Sequence, residues 1–365
     1  MTPDSTFTRT HALLAAICIG IASLSACEPQ RTPEQVRATL LRKLPATLPG
    51  REEWARDIQA AFQAQQLDAS NDNLCAVLAV VEQESTYRAD PPVPGLPGIA
   101  RNEIYRRAGA MGVPQLMVDA ALQMRAPDGR TFAQRIGSLR TEQELSALFE
   151  EMTHRVPLGK RLFGRLNPVR TGGPMQVRID FAERHARGYP YPIDGSIRHE
   201  VFSRRGGLYF GIKHLLGYPA AYTEQLHRFA DFNAGWYASR NAAFQQATAI
   251  ASGVRLERDG DLLVPGAAMD APGATEAALR NIAQRLSMDA AGIRDALAQG
   301  HRDGFSRTEL YRQVFAIADA KGTGKPVPRA RVPDIALSSP KITRNLTTAW
   351  FADRVNARWK ACLAR

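Results

Sequence analysis

An apolar segment that begins just after residue 70 constrains the fold more than any other part of the sequence. Residues 70–73 are Ser-Asn-Asp-Asn, side chains that favour a helix N-terminus. Apolar residues follow at the i, i+3, i+4, i+7 spacing of one helical face: Leu74, Val77, Leu78 and Val81. The prolines at 91 and 92 are expected to end this helix, because a residue that precedes proline avoids helical geometry. The segment predicts a buried helix around which others pack.

The rest of the chain favours a mainly α protein. Amphipathic patterns predict further helices at 36–44, 54–67, 141–152, 208–216, 222–230, 274–286, 290–298, 307–319 and up to residue 362. One β-hairpin is expected at 255–264, around Asp259-Gly260. The predicted parts are a signal peptide (1–26), a tether with N-terminal helices (27–69), a central domain (70–253) with an insertion at about 91–170, and a C-terminal helical extension (254–365).

The first 27 residues have the pattern of a secretory signal. An apolar stretch at 12–22 is too short to span a membrane and is followed by small residues. Leu-Ser-Ala-Cys at 24–27 resembles the lipobox of bacterial lipoproteins, in which the cysteine is acylated, for example with palmitate, and becomes the N-terminus. The resemblance implies a membrane anchor on Cys27, and Glu28 after it implies the periplasmic face of the outer membrane.

Cysteine count leaves two alternatives for the mature chain. Cys18 leaves with the signal and Cys27 carries lipid, so Cys75 and Cys362 remain. An oxidising periplasm allows a disulfide between them, and two buried free thiols are the other interpretation.

The charge balance excludes some classes of partner. The mature chain keeps a net charge of +11, because the signal removes one basic and one acidic residue. This excess suits anionic surroundings such as peptidoglycan stem carboxylates or lipid headgroups. Nucleic acid is not expected, since the basic residues are dispersed and form no known motif. No His-Glu-x-x-His or Cys-x-x-Cys pattern occurs, so neither a metal nor another cofactor is expected.

Three short motifs carry the candidate chemistry. Glu84 and Ser85 follow the apolar helix and precede an aromatic residue, Tyr87. Residues 173–176 are Gly-Pro-Met-Gln, and residues 231–235 are Asp-Phe-Asn-Ala-Gly, with 57 positions between Gln176 and Asn233. In this order they resemble the motifs of the soluble lytic transglycosylase and goose-type lysozyme superfamily. The chain is also similar to a proteobacterial lipoprotein family of unassigned function.

This resemblance implies a lysozyme-like domain at 70–253. It implies Glu84 as the catalytic residue and a substrate-binding set of Ser85, Met175, Gln176 and Asn233. The chain departs from the family at two points. The link from Glu84 to the second motif spans 89 positions, so either an insertion lies there or residues 111–116 (Met-Gly-Val-Pro-Gln-Leu) are the second motif. Phe232 stands where the family has tyrosine, which removes a hydroxyl near the acid.

The implied reaction is cleavage of the β-1,4 bond between N-acetylmuramic acid (MurNAc) and N-acetylglucosamine (GlcNAc) in peptidoglycan. Glu84, at the border of an apolar helix face, is expected to be half-buried with a raised pKa, as a general acid requires. The substrate's own N-acetyl oxygen can attack the anomeric carbon, so a second carboxylate is not needed. Closure by the muramoyl 6-hydroxyl gives an anhydro product, whereas attack by water gives a lysozyme.

Two other hypotheses remain at this stage. In the first, the chain is an inactive lysozyme-like module that binds glycan or scaffolds partners. In the second, it is an envelope lipoprotein that shares the motifs by convergence. Protein partners are not predicted. Two further carboxylates near the motifs, Glu82 and Asp231, are candidates for a second acid or base, but both are expected to be solvated surface charges.

Overall fold

The computed structural model of the chain describes residues 31–155, 167–322, 324–337 and 345–365. The signal peptide, Cys18, Cys27 and Glu28 lie outside the described residues. The fold is mainly α. Its longer helices are α1 (Pro33–Lys43), α2 (Arg51–Ala64), α3 (Asn71–Ser85), α4 (Leu96–Ala110), α5 (Gln115–Leu122), α6 (Phe132–Gly137), α7 (Glu142–Arg155), α8 (Ile179–Arg184), α9 (Ile197–Phe202), α10 (Arg204–Leu216), α11 (Gln225–Ala234), α12 (Ala238–Ser252), α13 (Ala274–Arg280), α14 (Ala283–Leu286), α15 (Ala290–Leu297), α16 (Glu309–Lys321) and α17 (Thr348–Leu363).

Short strands pair in two antiparallel ribbons. Strand β1 (Thr171–Gly172) pairs with β2 (Val177–Arg178), and β3 (Ala336–Leu337) pairs with β4 (Leu346–Thr347). A 3₁₀ helix occupies Asp303–Arg307. Within the described ranges, no helix has both the length and the apolar character needed to cross a bilayer.

Helix α3 is the centre of the first core. Ser70 begins it, since its side chain accepts a hydrogen bond from the amide of Asn73. Every residue from 74 to 81 is buried, so the apolar segment is enclosed on all sides. Its surroundings come from α1, α2 and α10, which contribute Leu40, Ile58 and Phe210. The helices between residues 96 and 155 pack into the same core.

Helix α3 ends earlier than the prolines predict. Its last residue is Ser85, and Thr86 and Tyr87 both adopt left-handed backbone angles, with φ of 50° and 59°. This turn buries the ring of Tyr87, whose hydroxyl donates to the carbonyl of Leu78 at 3.3 Å. Burial of one aromatic side chain therefore sets the end of the helix, and the prediction of an end at Pro91 is wrong.

The last helix, α17, returns to the first core. It packs more extensively against α3 and α11 than against other helices. Cys362 near its end forms a disulfide with Cys75 in α3, with the two Cα atoms 5.6 Å apart. The indole of Trp359 donates to the carbonyl of Asp72 at 3.2 Å. The C-terminal extension is thus divided, because its final helix belongs to the first core.

A second core fills the region between α12 and residue 327. Phe244 of α12 lies at its centre, in contact with the rings of Phe305, Tyr311 and Phe315. Helix α12 packs along α16, and α13 to α15 close the remaining sides. This core is contiguous in sequence and connects α12 to the segment that leads back to α17.

The hairpin expected at 255–264 is absent, because no strand is formed over these described residues. Side chains of α12 satisfy the backbone there instead. The amide of Gly260 donates to Gln245 Oε1 at 2.8 Å, and Asn241 Nδ2 donates to the Gly260 carbonyl at 3.2 Å. These bonds replace the cross-strand ladder that a hairpin would need. The hairpin prediction is wrong for this reason.

Candidate functional site

A cleft of about 630 Å³ lies at the C-terminal end of α3. Glu84, Gln176 and Asn233 all line it, although they come from three separate parts of the chain. The structure therefore brings together the polar residue of each of the three sequence motifs. Of the two candidates for the second motif, residues 173–176 reach the cleft through Gln176, whereas residues 111–116 do not line it.

Glu84 occupies the last turn of α3 and is half-buried. Its helix is fixed on all sides by the first core, so the carboxylate is carried on a rigid element. Glu82, two residues earlier, does not line the cleft and pairs with Arg358 of α17 at 3.5 Å. The two neighbouring glutamates thus differ, because one faces the cleft and the other faces the last helix.

The turn at 173–176 packs closely against α9 and α10. A side chain on Gly173 would overlap the carbonyl oxygen of Val201, and a side chain on Gly211 would overlap Met175. Gly173 also has a φ of 72°, which favours glycine. Gln176 itself has a φ of 48°, a conformation that costs free energy for a residue with a side chain. Gln176 lines the cleft from this conformation, and its side chain bonds to the same turn, with Oε1 accepting from Thr171 Oγ1 at 3.3 Å and Nε2 donating to the Gly173 carbonyl at 3.2 Å.

Asp231 fixes the turn that carries Asn233. Its carboxylate is fully buried and accepts hydrogen bonds from four donors: the hydroxyls of Tyr218 (2.9 Å) and Tyr222 (2.7 Å), and the amides of Tyr237 (3.0 Å) and Ser239 (2.6 Å). Burial raises the pKa of Asp231, and these hydrogen bonds oppose the shift. The expectation that Asp231 is a solvated surface charge is wrong, because the backbone after α11 turns around it.

The structure does not bring Ser85 and Met175 to the cleft surface. Ser85 is buried, and its hydroxyl donates to the carbonyl of Val81 at 3.0 Å. Met175 has no exposed surface and contacts α10 at Gly211. Both residues support a motif from beneath, and neither has the exposed surface that the substrate-binding role implied by the resemblance requires.

Charged residues of both signs surround the motif residues. Arg170, Arg178 and Arg198 line the cleft together with Asp180 and Glu183. Arg178 forms a two-pronged ion pair with Asp180, at 2.9 and 2.8 Å. Arg198 is mostly buried, and its guanidinium donates to the Val169 carbonyl at 3.0 Å. The cleft is therefore polar and close to electrically balanced, as suits a neutral sugar more than an ion.

The floor of the cleft contains aromatic residues. His214 is buried against Phe181 and Phe232, with ring centroids 4.6 and 5.0 Å apart. Burial lowers the pKa of His214 to about 4, and Arg178 and His185 add to the shift. His214 is consequently neutral at pH 7. Phe232 stacks on Phe351 of α17 with centroids 6.4 Å apart.

Sequence reasoning missed the arginines and His214. Arg178 lies two residues after Gln176, so its distance from the motif was an available signal. His214 follows Gly211 by three residues and shares its helix face, but nothing marks it as different from a core histidine. Arg198 carries no local signal, because its place in the cleft depends on how α9 packs. Within the described residues, no three His, Cys, Asp or Glu side chains are grouped so as to hold a metal ion.

The fold and the cleft define a mainly helical protein with a two-core architecture and a polar site carried by the first core. The chain belongs to the family described as "Protein of unknown function (DUF1615)", whose model matches residues 47–365. It is 51% identical over 354 residues to "Uncharacterized protein YaiW" of Escherichia coli (strain K12), which covers 96% of each chain. No solved structure matches it. The matched range includes all three motifs and the last helix.

Proposed function

We propose that this protein cleaves the β-1,4 MurNAc–GlcNAc bond of peptidoglycan as a lytic transglycosylase, with Glu84 as its single acid and base. One observation carries the proposal. Glu84, Gln176 and Asn233 lie far apart in the chain and yet line one cleft. Their order and shared location support a lysozyme-like domain within the first core.

Glu84 first acts as an acid in the proposed reaction. Its proton goes to the glycosidic oxygen, and the bond from that oxygen to the anomeric carbon of MurNAc breaks as the N-acetyl oxygen attacks this carbon. Glu84, now ionised, takes the proton of the muramoyl 6-hydroxyl, whose oxygen displaces the N-acetyl oxygen and closes a 1,6-anhydro ring. Gln176 and Asn233 hydrogen-bond the acetamido or hydroxyl groups.

The size and chemistry of the cleft agree with this substrate. A volume of about 630 Å³ lies within the range of small-ligand sites and is open enough for part of a glycan strand. Amide and carboxyl groups at its surface match sugar hydroxyl and acetamido groups, while His214 and Phe232 give an apolar floor. Because such a strand is extended, we expect it to run through the cleft.

The start of the described chain lies at the end of α3 opposite to Glu84, as suits a lipid-anchored wall enzyme. Arg31, four residues after Cys27, donates to Asn71 at the start of α3 at 3.0 Å. Glu84 lies near the other end of this 15-residue helix, about 20 Å away. We therefore propose that the chain is anchored to the periplasmic face of the outer membrane, with its cleft directed away from the lipid.

One observation favours a second candidate, an inactive envelope lipoprotein that binds peptidoglycan or scaffolds partners. Phe232 lines the cleft and offers no hydroxyl to orient the acid. A cleft of this kind would still bind glycan through Gln176 and Asn233. The two candidates differ in turnover and share the same ligand.

The decisive change is Glu84→Gln, tested with purified sacculi in residues 28–365, which are the mature chain without the acylated Cys27. We expect the wild-type chain to release soluble muropeptides and the variant to release them about 10²–10⁴-fold more slowly. Glutamine keeps the shape of the protonated acid but has no proton to transfer. Chromatography with mass detection of the muropeptides measures the rate and identifies anhydro or reducing ends.

Glu82→Gln is the matched control, since it changes the same residue type on the same helix outside the cleft. It should retain wild-type release. Equal release by Glu84→Gln and wild type would place the acid elsewhere. If the wild-type chain binds sacculi but releases nothing, and Phe232→Tyr releases nothing either, the binding-module hypothesis replaces the enzyme hypothesis.

A further inference from the structure

We propose that Thr348, the first residue of α17, positions the side chain of Asn233 to donate to the acetamido oxygen of the glycan. This inference rests on the proposed function. It makes the C-terminal helix part of the binding site, although that helix lies outside the segment that carries the sequence motifs.

The contact is a direct hydrogen bond between residues 115 positions apart. Thr348 Oγ1 donates to Asn233 Oδ1 at 2.9 Å. Thr348 is fully buried, whereas Asn233 is exposed at the cleft. A buried hydroxyl beneath an exposed amide fixes which end of the amide the cleft presents.

The chemistry of the amide determines the ligand group. A primary amide has one acceptor oxygen and two N–H donors. Because Oδ1 accepts from Thr348, the Nδ2 group is the end that remains for a ligand in the cleft. This group needs an acceptor, and the carbonyl oxygen that GlcNAc and MurNAc have in common is that of the acetamido group. An exposed asparagine without this bond would have to lose rotamer freedom on binding.

Helix α17 holds Thr348 in place from both ends. The backbone amide of Thr348 donates to the carbonyl of Ile335 at 3.0 Å. The side chain of Thr347 caps the helix by accepting from the amide of Trp350 at 3.1 Å. At the other end, Cys362 is joined to Cys75. Helix α17 also packs along α3, the helix that carries Glu84. The same helix therefore contacts the elements of both Glu84 and Asn233.

Thr348→Val tests the proposal, with Thr348→Ser as the matched control. Valine has the shape of threonine and lacks the hydroxyl, whereas serine keeps the hydroxyl and lacks the methyl group. We expect Thr348→Val to weaken binding of a GlcNAc hexamer about tenfold, the loss of one good hydrogen bond, and Thr348→Ser to stay within about twofold of wild type. Isothermal titration calorimetry with residues 28–365 measures both.

The selectivity of the protein for N-acetylated glycan distinguishes a positioning role of Thr348 from a merely structural one. The ratio of affinities for the GlcNAc hexamer and its de-N-acetylated counterpart should fall in Thr348→Val and remain in Thr348→Ser. Asn233→Asp is a second variant that does not depend on the fold tolerating valine. Aspartate still accepts from Thr348 but has no donor, so its acetyl selectivity should also fall.

The outcomes distinguish this inference from the proposed function. A wild-type chain that neither binds the hexamer nor releases muropeptides overturns both. Wild-type binding with unchanged acetyl selectivity in Thr348→Val and Asn233→Asp overturns the role of Thr348 and leaves Glu84 in place.

Discussion

The two cores of this protein differ in that the first also presents polar residues at the candidate cleft. In the first core, helices and turns end at a cleft, where Glu84, Gln176 and Asn233 are accessible. In the second core, the main buried polar side chains bond to nearby protein groups, as Gln245 does with Asp259 and the Gly260 amide. The first core thus carries the candidate site, and these hydrogen bonds of the second core stabilise the chain between α12 and α17.

Two glutamates make the comparison concrete. Glu276 in the second core is fully buried and accepts from Arg294 at 2.9 and 3.0 Å and from Arg280. Burial alone would raise the pKa of Glu276, but the two guanidinium groups outweigh it and hold the pKa below 4.5. A carboxylate held in this way cannot serve as an acid at neutral pH. Glu84, in contrast, is only half-buried and lies at the surface of the cleft.

Removing the disulfide should have the largest effect on stability, and the effect should be on the first core, which the disulfide crosslinks. In the described residues the disulfide joins α3 to α17, within that core. We expect Cys75→Ala/Cys362→Ala to lower the free energy of unfolding by up to about 4 kcal/mol, because a closed loop limits the unfolded chain. Urea unfolding with and without reductant measures it.

Reductant gives the internal control for that experiment. It should shift the wild-type transition to that of the double variant and leave the double variant unchanged. Equal transitions for oxidised wild type and the double variant would contradict a stabilising crosslink.

Much of the helical framework was predictable from local sequence, because it depends on local signals. The N-cap at Ser70 and the apolar spacing after it predict α3, and all eight residues from 74 to 81 are buried. The hairpin at 255–264 was not predictable in this way. Its Asp259-Gly260 signal is local, whereas the competing hydrogen bonds come from Gln245 and Asn241 in another element.

The candidate site divides along the same principle. Glu84, Gln176 and Asn233 were found because each belongs to a short motif. Thr348 and Arg198 were not, since their place depends on packing between distant elements. Asp231 shows the converse error, because an acidic residue is expected to be solvated until four donors are seen to converge on it.

The second core should respond to loss of its buried ion pair without a change in chemistry. We expect Glu276→Gln to lower the free energy of unfolding by about 3 kcal/mol, because two guanidinium groups lose their carboxylate. The effect should be near the low end for buried pairs, since both arginine side chains are 21% exposed. Specific muropeptide release per folded molecule should stay at the wild-type value.

Glu309→Gln is the matched control, because Glu309 pairs with Arg312 at the surface. It should leave the unfolding midpoint unchanged within error.

The pH dependence gives a second check. Since the pKa of Glu276 is lowered in the folded state, its stabilisation is present above pH 4.5 and is lost as the pH falls below it. A loss of muropeptide release in Glu276→Gln at constant folded fraction would break the comparison between the cores.

The smallest expected effect is a pH dependence of stability that arises beneath the cleft. The pKa of His214 is 6.5 in an unfolded chain and about 4 in the folded protein. Between these values the unfolded chain binds a proton that the folded chain does not, so stability falls as the pH falls through this range and is flat above it. For His214 this amounts to about 2 kcal/mol between pH 7.5 and pH 5.

His214→Phe, which suits the surrounding rings of Phe181 and Phe232, should remove this part of the slope in urea unfolding at the two pH values. His227, whose pKa burial also lowers, should leave a residual slope in the variant, which His227→Gln would reduce separately. Identical pH slopes in wild type and His214→Phe would show that His214 gains its proton without cost, and that the floor of the cleft is not the apolar surface that distinguishes this site.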